Sequence, residues 1–228
     1  MGKKVALHNL GCKVNAYEVE AMQQLLEEAG DEIVPFEPGA DVYLSNICTV
    51  TNIADRKSRQ MLHKAKKMNP DAIVIAAGCY VQTDEGKLDK DEAVDLILGN
   101  NQKGNIVQVL QEYEQQHTKQ KHVLNINQTK EYEELAINHT AEHVRAYIKV
   151  QDGCNQFCTY CIIPYARGRV RSRKIAQVMD EVRALAAKGY KEVVLTGIHL
   201  SSYGVDFPEE ERETLLSLIQ SVHAVEGV

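Results

Sequence analysis

The sequence predicts an α/β protein in two parts, an N-terminal parallel-sheet domain of three layers and a second segment of about two βα units. Short apolar runs alternate with amphipathic helical segments in residues 1–110 and again in residues 144–228, as in parallel sheets covered by helices. Residues 111–143 are polar and show little periodicity, apart from one short strand predicted at Val123-Leu124. We therefore expect two domains joined by a linker over residues 111–143.

Four apolar runs are predicted as strands of the first domain: Val5–Leu7, Val42–Leu44, Ile73–Ala76 and Leu96–Leu98. Asn15 is predicted to cap the first helix, with Glu18 completing a capping box and Gly30 ending the helix. The helix after the second run is predicted to stop at Asn69-Pro70.

The second part is predicted to begin near Val144 with a strand. Its apolar residues, Ala146, Ile148 and Val150, alternate with Arg145, Tyr147 and Lys149, so that one face of the strand is apolar. The predicted elements that follow are a helix over residues 175–186 ended by Gly189, a strand over 193–195 and a helix over 215–222.

The six cysteines fall into two sets of three. Cys12, Cys48 and Cys79 each come just after a predicted strand, and the carboxyl ends of parallel strands line one crevice. The second set, Cys154-x-x-x-Cys158-x-x-Cys161, lies in one loop after a strand. We therefore predict two ligand sets, although free cysteines are also common as small buried core residues.

Three cysteines suit an iron–sulfur cluster with one open site. A cubane cluster has four irons, each normally held by a thiolate, so three cysteines leave one iron free to bind another molecule. Two such sets indicate two clusters that perform chemistry. Zinc is the competing metal, but a structural zinc site needs four ligands. Glycine precedes Cys12, Cys79 and Cys154 alike, and we expect its missing side chain to let the backbone approach inorganic sulfide.

Composition limits the location and the partners. The 228 residues are 44% hydrophobic, enough for packed cores, and contain neither an apolar run of membrane-spanning length nor a secretory signal. A cytoplasmic protein without a membrane partner is expected, and in that compartment patterned cysteines favour metal binding over disulfides. The net charge of −6 means that any nucleic-acid partner requires a local basic patch.

At the cysteine loop the sequence resembles the radical S-adenosylmethionine (SAM) enzymes, whose signature is CxxxCxxC after the first strand of a (βα)6 barrel. The resemblance implies that the cluster held by Cys154, Cys158 and Cys161 binds SAM through its open iron and cleaves it to methionine and a 5′-deoxyadenosyl radical. It also implies that Tyr160, which precedes the third cysteine, packs beside the bound SAM.

With the first cysteine set included, the chain resembles the N-terminal portion of the methylthiotransferases. The matching stretches surround Cys12 (residues 10–15), Cys48 (46–51) and Cys79 (78–80), which by analogy hold an auxiliary [4Fe-4S] cluster carrying the sulfur to be transferred. Residues 54–60, 161–168 and 195–204 are similar to the branch that acts on threonylcarbamoyladenosine in tRNA. The family then implies a second [4Fe-4S] cluster, SAM, a tRNA substrate, a reducing electron donor and a sulfur source.

Two basic stretches are candidates for RNA contact. Arg167, Arg169, Arg171 and Arg173 follow the cysteine loop, and in an extended segment these odd-numbered residues would share one face suited to phosphates. The second stretch, with Arg56, Lys57, Arg59, Lys64, Lys66 and Lys67, lies on the helix after Cys48 and is equally compatible with a solvated surface.

Several alternatives stay open. A zinc-stabilised RNA-binding module and a cluster protein that only transfers electrons are the other classes, and the identity of the bound metal separates them. Within the family, the alternatives are sister enzymes acting on isopentenyladenosine tRNA or on a ribosomal-protein aspartate. A complete radical SAM barrel needs about four more strands, so we expect the chain to be an incomplete fragment of such an enzyme.

Overall fold

The computed structural model describes residues 2–140 and 145–228. Within them, the first sheet is parallel throughout, with strand order β2-β1-β3-β4-β5-β6. Its strands are β1 (Lys4–Leu10), β2 (Glu32–Val34), β3 (Val42–Ile47), β4 (Ile73–Gly78), β5 (Leu96–Leu98) and β6 (Gln120–His122). Its helices are α1 (Lys13–Glu28), α2 (Asn52–Met68), α3 (Cys79–Asp89) and α4 (Ile106–Gln116).

Helices cover both faces of this sheet, which confirms the three-layer prediction. On one face, Leu62 of α2 and Leu88 of α3 pack in a core with Tyr43 of β3. On the other face, Met22 of α1 and Leu110 of α4 pack with β-strand residues in a second core. The central strand β3 is buried along its whole length because it has helices on both sides.

The second part has a sheet of order β8-β7-β9 in the described residues. Strands β7 and β9 are parallel, as the first strands of a (βα) barrel would be, and the short β8 is antiparallel to β7. The strands are β7 (Arg145–Asp152), β8 (Arg171–Ser172) and β9 (Glu192–Gly197). The helices are α5 (Ile163–Arg167), α6 (Ile175–Ala187) and α7 (Leu215–His223).

Helix α1 belongs to both parts. Its Met22 packs under the first sheet, whereas Tyr17 and Ala21 pack in the core of the second part together with Ile148 of β7 and Val182 of α6. The two sheets therefore share one helix and are held together by it.

The start of α1 differs from the prediction. The helix begins at Lys13 with Cys12 as its N-cap, and Asn15 and Glu18 are buried inside it. The predicted capping box is wrong because the Glu18 carboxylate is drawn into a buried set of cations. The predicted end is confirmed, since Gly30 follows the helix with a positive φ of 95°.

The predicted linker contains some regular structure and a few buried residues in its described part. Helix α4 continues to Gln116, and β6 at Gln120–His122 pairs with β5, so the strand predicted at Val123-Leu124 is three residues too late. Leu135 and Ile137 are buried in the second core. The predicted boundary at residues 143 and 144 lies outside the described residues.

The strand β2 was missed by the sequence analysis. It is three residues long and only half-buried, so it carries no continuous apolar run. In the described chain, no helix is sufficiently long and apolar to cross a membrane.

Replacement of a fully buried leucine in β3 should destabilise the protein strongly. We expect Leu44→Ala to lower the free energy of unfolding by about 2–5 kcal/mol, because it removes buried methyl groups and leaves a cavity between sheet and helices. Urea unfolding followed by circular dichroism measures this change. The matched control, Leu216→Ala on α7, removes a side chain that is 65% exposed and should change stability by less than about 0.5 kcal/mol. Equal losses in the two variants would contradict the burial assigned to β3.

Candidate metal centres

The first cysteine set lies on one edge of the first sheet. Leu10, Ile47 and Gly78 are aligned across the neighbouring strands β1, β3 and β4. Cys48 and Cys79 directly follow the last two of these residues, and Cys12 comes two residues after the first. The three cysteines therefore follow aligned strand ends at the carboxyl edge of the sheet, and their convergence on one cluster stays a prediction.

The three thiols differ in burial and in hydrogen bonding. Cys79 is buried and accepts a hydrogen bond from Arg167 Nε at 3.2 Å, whereas Cys12 is exposed and donates to Asn15 Oδ1 at 3.2 Å. Cys48 is half-buried and accepts from the Val50 amide at 3.5 Å. Burial raises the pKa of the Cys79 thiol, and the positive charge of Arg167 opposes this rise. N–H donors at two of the sulfurs fit ligands of an iron–sulfur cluster, whose sulfurs commonly accept such bonds.

The second cysteine set lies in a loop closed by backbone hydrogen bonds. The amide of Cys154 donates to Gly168 O at 3.0 Å, and the amide of Cys161 donates to Cys158 O at 2.9 Å. Cys154 is buried, Cys161 half-buried and Cys158 exposed. The loop thus has a rigid base on β7 and an open tip, which suits thiolates that bind a cofactor from solvent.

A cavity of about 470 Å³ joins the two cysteine regions. It is lined on one side by residues 49–52, directly after Cys48, and on the other by Tyr160 and Ile162, which flank Cys161. The Tyr160 ring is 90% exposed and free to contact a molecule bound there. Its role beside SAM stays a prediction.

The glycines before the cysteines have a different role from the expected one. A Cβ on Gly78 would lie 2.3 Å from Asn46 Oδ1, and one on Gly153 would lie 1.9 Å from Arg169 O. Both glycines also have positive φ angles, of 99° and 72°. A Cβ on Gly11 would meet the Asn15 side chain at 2.5 Å. Close packing against protein atoms therefore already explains why these positions are glycine, without any approach to sulfide.

A buried charge cluster lies behind Cys79. Its centre is Glu18 of α1, whose carboxylate oxygens are 2.6 Å from Arg167 Nη1, 3.2 Å from Lys103 Nζ and 3.3 Å from Lys149 Nζ. All four side chains are fully buried. Burial alone would raise the pKa of Glu18, but the three cations outweigh it and hold this pKa well below its usual value.

Asp152 is the second carboxylate of the cluster. It lies 3.2 Å from Arg167 Nη1, 3.4 Å from Lys149 Nζ and 3.7 Å from Arg171 Nη2. Burial would raise the pKa of Asp152, and these cations lower it to about 2. Because Glu18 and Lys103 come from the first part of the chain and the other members from the second, the cluster ties the two parts together.

The predicted basic face of the arginines is wrong for three of its four members. Arg167, Arg171 and Arg173 are almost completely buried, and only Arg169 is exposed. Arg173 pairs with Glu181 and, at 3.1 Å, with Glu134. The physical reason is that α5 and the segment after it turn these side chains inward, towards the carboxylates of Glu18, Asp152 and Glu181.

Exposed positive charge lies instead on α2, after Cys48. Among the described residues, no ion pair involves the exposed cations of this helix, which are Arg56, Lys57, Arg59, Lys64 and Lys67. Arg59 donates to the Tyr80 hydroxyl at 3.0 Å, and Lys66 turns away to pair with Asp95 at 2.9 Å. The solvent-facing side of α2 is therefore a basic surface next to the first cysteine set.

Sequence reasoning missed the charge cluster. Lys149 was expected on the polar face of its strand, but α1 contacts that strand and buries the lysine. The available signal was Lys149 and Asp152 in the strand that leads into a cysteine motif. In the described residues, no three His, Cys, Asp or Glu side chains are arranged to hold a single metal ion.

Comparison with known families agrees with this two-part architecture. Residues 4–99 match the uncharacterized protein family UPF0004, and residues 148–223 match the radical SAM superfamily. Fold and site therefore define an α/β protein of the radical SAM superfamily with an additional cysteine-bearing domain before the SAM motif.

Curated relatives cover almost the whole chain. The threonylcarbamoyladenosine tRNA methylthiotransferases MtaB of Bacillus subtilis and Aquifex aeolicus are 44% and 43% identical over 98% and 99% of this chain. The tRNA-2-methylthio-N(6)-dimethylallyladenosine synthase of Carboxydothermus hydrogenoformans is 32% identical over 96% of it. The chain is thus similar over almost its whole length to radical SAM tRNA methylthiotransferases. It spans about half the length of these relatives, with 49%, 54% and 50% of each covered.

Among solved structures, the radical SAM methyltransferase TsrM from Kitasatospora setae has a similar fold. Two of its structures, one with cobalamin and a [4Fe-4S] cluster bound, superpose with TM-scores of 0.57 and 0.56 at 16% sequence identity. They match 88% of this chain and 48% of theirs.

Neutralising Glu18 should destabilise the protein in a pH-dependent manner. We expect Glu18→Gln to cost about 3–5 kcal/mol at pH 7, because it leaves buried cations without their anion. The folded-state pKa of Glu18 lies below the unfolded value of about 4.3, so its stabilising contribution is complete above that pH and is lost as the pH falls below it. Urea unfolding at pH 7 and pH 3 should therefore show a smaller difference at pH 3.

The control for this experiment is Glu28→Gln, at the exposed end of the same helix. It removes the same charge without a buried partner, and its effect should stay below about 0.5 kcal/mol at either pH. A Glu18→Gln effect that did not depend on pH would contradict the assigned electrostatic role.

Proposed function

We propose that this chain provides the two cluster-binding parts of a radical SAM enzyme that adds a methylthio group to C2 of threonylcarbamoyladenosine next to the tRNA anticodon. The observation that carries the proposal is one cavity lined both by residues 49–52, directly after Cys48, and by Tyr160 and Ile162, which flank Cys161. An enzyme that transfers a sulfur-bearing group to a substrate radical needs the source of the sulfur and the source of the radical within reach of one substrate atom.

Each cysteine set would hold one [4Fe-4S] cluster. Cys12, Cys48 and Cys79 would bind the auxiliary cluster, and Cys154, Cys158 and Cys161 the cluster that binds SAM. When bound, the two clusters and SAM supply the radical, the methyl group and the sulfur that methylthio transfer requires. The chain itself fixes the thiolates at the ends of strands, and Tyr160 provides an exposed aromatic face at the cavity.

The substrate proposal rests on the relatives and on charge. Both MtaB relatives are named for threonylcarbamoyladenosine tRNA, and the basic surface of α2 offers phosphate contacts beside Cys48. A tRNA substrate places the activity in the cytoplasm, and an external electron donor and a sulfur source would complete the reaction. The second candidate substrate is isopentenyladenosine tRNA, because relatives named for the dimethylallyl product are 32–35% identical.

The metal content tests the two-cluster proposal. After anaerobic reconstitution with iron and sulfide, we expect about eight irons per chain, since two cubane clusters hold four each. Replacing Cys12, Cys48 and Cys79 with Ala should leave about four irons, and so should replacing the three loop cysteines. Iron, labile sulfide and zinc are quantified together. Stoichiometric zinc with almost no iron would exclude the enzyme and favour a zinc-stabilised module.

Neutralising the basic surface of α2 should weaken tRNA binding. In the triple variant Arg56→Gln, Lys57→Gln and Lys67→Gln, tRNA binding should depend less on salt. The slope of the log association constant against log salt concentration should decrease in magnitude by about 0.7–0.9 for each phosphate that is no longer neutralised. Filter binding at several salt concentrations measures it. The matched control carries Arg183→Gln on α6 and Lys188→Gln and Lys191→Gln just after it, three exposed positions with the same charge change. Equal effects of the two triples would show that only net charge matters.

A further inference from the structure

The interior behind Cys79 contains more positive than negative charge. Among the described residues, four cations are buried there, Lys103, Lys149, Arg167 and Arg171, and the buried carboxylates that pair with them are Glu18 and Asp152. Glu133 attracts Lys149 from a half-exposed position at the margin. An uncompensated buried charge is costly, so this interior favours an anion as its neighbour.

Arg171 shows the same lack of negative partners, because two of its buried nitrogen atoms have no acceptor. Its Nε and Nη2 are buried without a hydrogen-bond partner, and only Nη1 donates, to Arg169 O at 3.0 Å. Asp152 lies 3.7 Å from Nη2, which is beyond hydrogen-bonding distance.

The guanidinium of Arg167 connects this interior to the cysteine set. Its Nη1 and Nη2 donate to Glu18, Asp152 and Asn15, at distances from 2.6 to 3.4 Å, which fixes the plane of the group. Its Nε is thereby directed at Cys79 Sγ, 3.2 Å away. Arg167 is the last residue of α5, which follows the second cysteine set and contacts α3, whose first residue is Cys79. One side chain therefore extends from the segment of one cysteine set to a ligand of the other.

We propose that Arg167 is a positioning residue for the cluster at Cys12, Cys48 and Cys79, one that holds the Cys79 thiolate and stabilises the reduced, more negative state of the cluster. This inference rests on the proposed function, because it requires a cluster at the first cysteine set. A charge-assisted N–H···S bond in a dry interior is stronger than a neutral one, and hydrogen bonds to sulfur and net charge are both determinants of a cluster's potential. Removal of the Arg167 charge then makes reduction less favourable.

The test is the midpoint potential of the first cluster alone. All proteins carry Ala in place of Cys154, Cys158 and Cys161, are reconstituted with iron and sulfide, and are titrated with reductant while electron paramagnetic resonance is recorded. We expect Arg167→Gln to reduce the equilibrium constant for cluster reduction at least tenfold, a downward shift of about 59 mV for a one-electron couple. Arg167→Lys keeps the charge but not the directed Nε, and its potential should lie between those of the parent and Arg167→Gln. The control, Arg183→Gln, removes an exposed arginine and should match the parent.

A second variant gives an effect of opposite sign. Glu18→Gln leaves Arg167 in place and raises the net positive charge next to Cys79, so the potential should rise. Arg167→Lys, which keeps the positive charge beside Glu18 and Asp152, keeps the inference testable if Arg167→Gln does not fold.

The outcomes separate this inference from the proposed function. A parent protein with four irons, whose potential is the same in Arg167→Gln and Arg183→Gln, would overturn the role of Arg167 alone. An unchanged or lowered potential in Glu18→Gln would overturn it as well. A parent protein without iron at the first cysteine set would overturn the proposed function and this inference with it.

Discussion

The structure depends on one carboxylate, that of Glu18, held among three buried cations. Glu18 lies on α1, the helix that packs in the cores of both parts, and its partners Lys103, Lys149 and Arg167 come from three other segments of the chain. Each of these charges would be unfavourable in the interior without the others. The relative placement of the two sheets, and with it the facing of the two cysteine sets, therefore requires the whole cluster to assemble.

Much of the fold could be predicted from the sequence because its signals are local. The apolar runs that became β3 and β4 are continuous, the stop at Asn69-Pro70 is unambiguous, and Gly30 ends α1 as its position suggested. Strand β2 and the packing of residues 120–140 escaped prediction because their burial comes from neighbours distant in the sequence. Glu18 was misassigned for the same reason: its spacing from Asn15 fits a cap, and only the tertiary structure reveals its cations.

The candidate site, like the fold, could be predicted from the sequence only in part. The positions of Cys12, Cys48 and Cys79 follow from strand ends and parallel topology, which a sequence pattern can reveal. The direction of an arginine side chain does not follow from such a pattern. Arg167, Arg171 and Arg173 alternate as an exposed basic face would, yet all three point inward, and the exposed charge lies on α2. Charge patterning thus named both stretches as candidates, and only the structure distinguishes the exposed one on α2 from the buried one.

The long sequence separation of the charge cluster has a consequence for biosynthesis. Glu18 and Arg167 are 149 residues apart, so the first cysteine domain leaves the ribosome well before its counter-ion exists. At about 5–20 residues per second, that interval lasts roughly 7–30 s. Until residue 167 has been made, Glu18 lacks Arg167, and Cys79, which lies 88 residues before Arg167, lacks its hydrogen-bond donor from α5. The complete first cysteine site, with its Arg167 donor at Cys79, therefore forms only after the second cysteine loop and α5 have been synthesised.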